Sequence, residues 1–205
     1  MLTKEQLIYI MPQAPLHSLD LFLEQFNTVF EKYGIDTGLR RAAFLANAAA
    51  ETGQLTLLRE LWGPTDQQKL YERDFTQPWQ NGLTIHDRNY LAFAMGNAEI
   101  GDGHKFRGRG IFQNTGYKNY VLLTEDYKVD FVNNPELLEG AVWACETAGR
   151  YWGTHNLNKK IDENDFDGIC DEINIGHKTV KIGDSVHFAE RLVYFEKGKR
   201  VLMAA

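Results

Sequence analysis

A mainly α fold, one helical domain with a small central β element, is what this 205-residue sequence predicts. Apolar residues recur at helical spacing, as in Phe22, Phe26, Val29, Phe30 and Tyr33. Helix-start residues such as Thr3 and Thr37, and stops such as Gly34 and Gly53, bracket these stretches. Against them, six glycines fall within the 25 residues of 96–120, too many for a long helix.

Thr3 and Gln6 make a capping box, and Pro12 closes a short first helix. Ser18 is the expected cap of a second helix, which Gly34 stops. Thr37 caps a third, running through Arg40, Ala43, Phe44 and Leu45 toward Glu51. Its near-continuous small apolar residues from Ala42 to Ala50 predict burial on most sides, and Gly53 ends it. Gly63-Pro64 and Gln77-Pro78 then break the pattern, with Tyr71 and Phe75 between them. Residues 96–120 read as short strands or an irregular ribbon, leading into a helix from about Thr115. Asn134-Pro135 opens a helix carrying Ala141, Ala144, Cys145, Ala148 and Trp152. Helices over 162–173 and from 184 to about 203 complete one domain, 1–205, without repeat, linker or separate wall-binding module.

A hydrophobic content of 43% supports a real core, and a net charge of −6 gives no global attraction to nucleic acid. Cys145 and Cys170 form no CxxC pair and are expected as buried thiols. The six histidines show no HExxH spacing, so neither a metal nor another cofactor is expected. The N-terminus lacks a signal-peptide core and no segment reaches membrane-span length, which predicts synthesis in the cytosol and no stable membrane insertion.

The stretch AAAETGQLTLLRELWGPT places Glu51 after an apolar run and Glu60 nine positions later. Glycoside hydrolysis needs two carboxyl groups flanking the scissile bond, one protonated and one ionised. Apolar surroundings after LANAAA suit Glu51 to the first role, and Arg59 with a polar turn suits Glu60 to the second. On one helix they would stand about 13 Å apart, but Gly53 lets the chain turn back. A separation of ~6.5–9.5 Å would leave room for water and predict inversion. Equally, Glu51 reads as a solvated helix-end acid and Glu60 as a surface partner of Arg59; Glu72 and Glu99 are rival second acids. Trp62 reads as core or as a sugar-stacking ring beside Gly63-Pro64. Gln113 and Asn119 read as buried amides, Asn174 as a turn cap, and Arg191 as a surface ion-pair partner.

The RGRG run of Arg107–Gly110 is a single copy in an aromatic, apolar frame, which argues against an RNA-binding segment. Gly101 and Gly103 are followed at the third place by Phe106, so GxGxxG fails, and no GK[ST] occurs. Glycines here permit tight turns and the close backbone approach that a polymer lying along a cleft wall requires.

Three ordered motifs, FLANAAAETGQL, RELWGPTDQQKLYE and GDGHKFRGRGIFQNTGYKNY, together with the segment ending in INIG and the last helix, carry a resemblance. Over about Arg40 to Leu202 the chain resembles the glycoside hydrolase family 19 chitinase and phage endolysin group. The resemblance implies a lysozyme-like fold that cleaves β-1,4 bonds between amino sugars. It implies Glu51 as general acid and Glu60 as second acid, with Trp62, Thr65, Gln113, Thr115, Asn119, Tyr120, Asn174 and Arg191 lining the saccharide cleft. The chain departs from the family pattern at Ala50, where a histidine is usual, at Ile111–Thr115, and at Ile175.

The expectation is a monomeric phage or prophage endolysin that hydrolyses peptidoglycan glycan strands. It would be held in the host cytoplasm until holin-assisted release to the periplasm and wall. A chitinase on chitin oligomers, a lytic transglycosylase working with one acid, and a non-catalytic glycan-binding protein are the alternatives.

Overall fold

A computed structural model describes residues 1–203. Its α-helices are α1 (Lys4–Ile10), α2 (Leu16–Lys32), α3 (Gly38–Thr52), α4 (Asp66–Lys69), α5 (Tyr90–Met95), α6 (Asp102–Lys105) and α7 (Tyr117–Tyr127). A 3-10 helix (Pro135–Glu139) precedes α8 (Ala141–Thr154), α9 (Leu157–Asp162), α10 (Phe166–Ile175) and α11 (Phe188–Leu202). None of them is long and apolar enough to cross a membrane.

Helix α3 is the central element. Every residue from Ala42 to Ala49 is buried, as its small apolar run predicts. Its caps are the expected ones: the Thr37 hydroxyl accepts from the Arg40 amide, and Gly53 closes the helix at φ +53°. Phe44 of α3 packs against Phe26 and Phe30 of α2, Trp152 of α8, and Phe112. Helix α11 runs antiparallel along α3, because Gly198 lies against Ala42 while Arg191 reaches Asn47 and Glu51. A Cβ at Gly198 would sit 2.8 Å from the Ala42 Cβ and 3.0 Å from its Cα. Gly198→Ala is therefore expected to destabilise by about 1–3 kcal/mol through forced separation of the two helices. Urea denaturation checks this, and an unchanged midpoint would mean that the helices part without cost.

A second, smaller core gathers Phe106, Tyr120, Leu123, Phe131 and Leu138, with Trp143 against it. Residues 106–112 cross from this core to the main one, since Ile111 and Phe112 belong to the latter. The glycines between them pass through the crossing. The expected β element consists of two isolated bridges, Arg59 with Arg109 and Arg109 with Asn114, so the irregular-ribbon reading holds.

Four expected boundaries differ. Helix α2 starts at Leu16 behind Pro15, whose ring fixes φ at −58°; Ser18 lies buried inside the helix and caps nothing. Gly140, extended at ψ 144°, divides the helix expected after Pro135 into the 3-10 turn and α8. Left-handed Asn164, with the Asp165 carboxylate accepting from the Gly168 amide, restarts the chain as α10. Helix α11 begins only at Phe188, because residues 177–187 are tied into a loop by Thr179, Asp171 and Asp184.

Candidate active site

Ala43, Asn47 and Glu51 follow one another at four-residue spacing, so they share one face of α3. That face meets Arg191 in the first turn of α11. The Arg191 guanidinium donates from Nη1 to Asn47 Oδ1 at 2.7 Å, from Nε to the Val186 carbonyl at 3.0 Å, and from Nη2 to Glu51 Oε1. Asn47 in turn donates to the Ala43 carbonyl at 2.9 Å. The Arg191 side chain is 2% exposed and that of Glu51 14%. Glu51 Oε2 has no hydrogen-bond partner among the described residues and is not sealed from solvent, so it is the oxygen available to a ligand.

Two sequence expectations are corrected here. The surroundings of Glu51 are not purely apolar, because its nearest polar neighbour is a buried guanidinium. Arg191 is not a surface ion-pair partner; it is buried at 1% of the residue surface and holds Glu51 from within. Tyr151 of α8 stands close to the pair. Burial first, then the charges of Glu172 and Glu51, push its phenol up to about 12, and its ring stacks on His155 at 3.8 Å.

Glu60 belongs to the ribbon. Its amide donates to the Gly108 carbonyl at 2.8 Å, and the Gly108 amide donates back to Glu60 Oε2 at 3.1 Å. Gln68 Nε2 donates to Oε1 at 2.9 Å and to the Leu61 carbonyl at 2.7 Å. Both carboxylate oxygens are thereby oriented while each keeps a lone pair for water. Gln68 is fixed by the capping box of α4, in which the Thr65 hydroxyl accepts from its amide. Tyr71 flanks the group; burial, then the Glu60 charge, raises its phenol.

A continuous set of contacts joins the two limbs. Tyr151, beside Glu51, packs on Phe112 at a ring separation of 6.0 Å. Next to Phe112, Gln113 adopts φ +50° and turns its Oε1 over Gly108, where an added Cβ would lie 2.1 Å away. Only glycine admits that approach, and the same Gly108 holds Glu60. Thr115 completes this wall, donating to the Gln113 carbonyl at 3.1 Å.

The remaining predicted residues divide. Trp62 is half-buried, its ring 6.3 Å from Tyr71 and 5.3 Å from His104, beside the Glu60 limb. Thr65 acts through its cap on α4. Asn174 accepts from the Val186 amide at 2.8 Å and so closes the loop that leads to Arg191. Asn119 is exposed and donates to the Thr115 carbonyl at 2.7 Å. Tyr120 is fully buried, accepts from Arg109 Nη1 and donates to the Arg107 carbonyl, and thus braces the ribbon. Of the rival acids, Glu72 accepts from the Gly101 and His104 amides at the start of α6, a structural position, and Glu99 is exposed away from the ribbon contacts.

Among the described residues no group of three or more His, Cys, Asp or Glu stands together as a metal site. Cys145 and Cys170 are buried, and burial raises both thiols, the latter to about 12, which suits packing and not nucleophilic attack. The surface groove of about 850 Å³ beside Tyr9, Leu192 and Val193 contains neither acid.

Sequence reasoning missed Asn47, Gln68 and Tyr151. Asn47 was detectable as the one polar residue inside an apolar run, a single helical turn before Glu51. Gln68 was detectable from the Thr65-x-x-Gln68 capping signature. Nothing local marks Tyr151, which comes from a distant helix.

No family model matches the chain, and no curated protein matches it in sequence. Solved structures do match in fold. Chitinase C from Streptomyces griseus HUT6037 aligns with a TM-score of 0.65 at 19% identity, over 98% of this chain and 76% of the other. A mutant of chitinase C aligns at 0.66 with the same identity and coverage. A bacterial family 19 chitinase, described as differing from plant enzymes, aligns at 0.66 and 19% identity over 98% of this chain and 94% of its own. The chain has the mainly α, lysozyme-like fold of these chitinases.

Proposed function

We propose that the protein is a glycoside hydrolase acting on β-1,4-linked amino-sugar polymers, with bacterial peptidoglycan as substrate and lysis of a phage host as its setting. The observation that carries this reading is the pair of differently held carboxyl groups linked through Tyr151, Phe112, Gln113 and Gly108. Glu51 has one oxygen anchored by Arg191 and one free; Glu60 has both oxygens oriented by Gln68 and Gly108. In the reaction, the protonated form of Glu51 gives the Oε2 proton to the glycosidic oxygen as the C–O bond breaks, and the ionised form left behind pairs with Arg191. Glu60 accepts a proton from water as that water attacks the opposite face of the sugar, which inverts the anomeric centre. Arg191 keeps Glu51 from turning away, and Gln113 and Thr115 line the wall where the sugar would lie.

Chitin hydrolysis is the second reading, favoured by the fold shared with chitinases. Mass spectrometry of digested walls separates the chemistries: hydrolysis yields reducing ends, whereas a transglycosylase yields anhydro sugars, and that outcome would remove the need for Glu60. Release through a holin and function as a monomer belong to the same proposal.

The second acid has its own test. Glu60→Gln is expected to lower turnover by roughly 10²-fold, whereas Glu72→Gln should act through stability, because Glu72 only caps α6. Normal turnover in folded Glu60→Gln would reassign the base.

A further inference from the structure

The ribbon carries three neighbouring guanidinium groups, Arg59, Arg107 and Arg109, of which two share one carboxylate, Glu139. Arg109 Nε donates to Glu139 Oε1 at 2.8 Å, while Arg59 reaches Oε2 only at 3.4 Å. Arg107 reaches no carboxylate. Its Nη1 donates to the His104 carbonyl at 2.5 Å, and its buried Nε has no partner among the described residues, although the residue is only 9% exposed. A guanidinium this buried normally has its donors filled by a carboxylate or phosphate. Burial, then Arg109 and Arg59, hold Arg107 below its usual value, and burial followed by Arg107 and Arg109 holds the His104 imidazole down. The locale is short of negative charge inside a chain of net charge −6.

This cluster adjoins the cleft. From Glu60 the contacts run to Tyr71, then to the Trp62 ring, then to His104, whose carbonyl holds Arg107. A bare amino-sugar backbone is uncharged when acetylated and presents nothing for these cations. A glycan whose sugars carry acidic side branches does, because a branch leaves the backbone sideways and reaches past the aromatic layer. We propose that Arg59 and Arg107 form a subsite for carboxylate groups borne on branches of the glycan, so that the polymer accepted in preference is an anionic one. This rests on the hydrolase reading above and deepens it, since carboxylate-bearing peptide branches distinguish peptidoglycan from chitin.

The test compares glycol chitin with carboxymethyl chitin, which share a backbone and differ in carboxylate content. For Arg59→Gln and Arg107→Gln, KM on carboxymethyl chitin should rise about tenfold, the scale of one charge-assisted contact, with kcat unchanged and glycol chitin affected less than twofold. Arg107→Lys should recover part of the loss. Equal losses on both polymers, or an unchanged KM on carboxymethyl chitin, overturn the subsite. Arg59, half exposed at 48%, carries the test alone where circular dichroism shows Arg107→Gln unfolded. If the parent cleaves neither polymer and also fails to clear bacterial walls, the hydrolase reading fails. Calorimetric binding at low salt then decides the subsite separately: preference of the parent for carboxymethyl chitin, lost in Arg59→Gln, supports it, and equal binding of the two polymers overturns it.

Discussion

Glu51→Gln is expected to lower wall clearance by at least ~10²-fold while the fold persists. The amide keeps an oxygen that accepts from Arg191, so the anchoring contact survives, but the group no longer carries a transferable proton. Loss of the negative charge leaves the Arg191 guanidinium, 2% exposed, without its counter-ion, so some stability is lost as well. Turbidity clearance together with circular dichroism and thermal melting separates the two effects. A folded variant that clears walls at the parental rate would remove Glu51 from the reaction.

Arg191→Met is expected to be the most destabilising single change in the site. It strips the partner from Glu51, leaves Asn47 Oδ1 and the Val186 carbonyl without their donor, and unpins the loop that leads into α11. Breaking a buried pair costs about 3–5 kcal/mol; the low end applies because Glu51 retains one solvent-facing oxygen. For a chain of this size that is a fall of roughly 6–12 °C in melting temperature. Activity should fall with it, because the acid is no longer held at one angle. Arg191→Lys separates packing from orientation: a single ammonium replaces part of the charge but cannot serve three acceptors in the planar fork that guanidinium provides. An Arg191→Met protein with parental melting and parental turnover would show that the pair orients nothing.

The helix that carries Glu51 was legible in the sequence because its determinants are local. Thr37, the alanine run and Gly53 specify α3 by capping, small side chains and a left-handed stop, none of which needs a distant partner. The Gly108 region was legible as irregular for the same reason. The Ser18 cap failed because Pro15, three residues earlier, already supplies a pre-set φ for the helix start. The three motifs also carried the family resemblance, and the shared fold agrees with it, although identity to each of the three chitinase structures is only 19%.

What only the tertiary structure decided is which groups meet. Arg191 stands 140 positions from Glu51, and it anchors that carboxyl because α11 lies antiparallel on α3, a packing set by Gly198 against Ala42. Tyr120 braces the ribbon because the second core closes over it. Gly108 gained its role because Glu60, from one limb, and Gln113, from the other, both converge on it. The sequence by itself determined the start of α3 at Thr37 and its stop at Gly53, which side chains can carry a proton, and where the backbone must bend, since these follow from residue chemistry and nearest neighbours. The partner of each side chain depends on contacts between elements far apart in the chain, and those are fixed only when the helices pack.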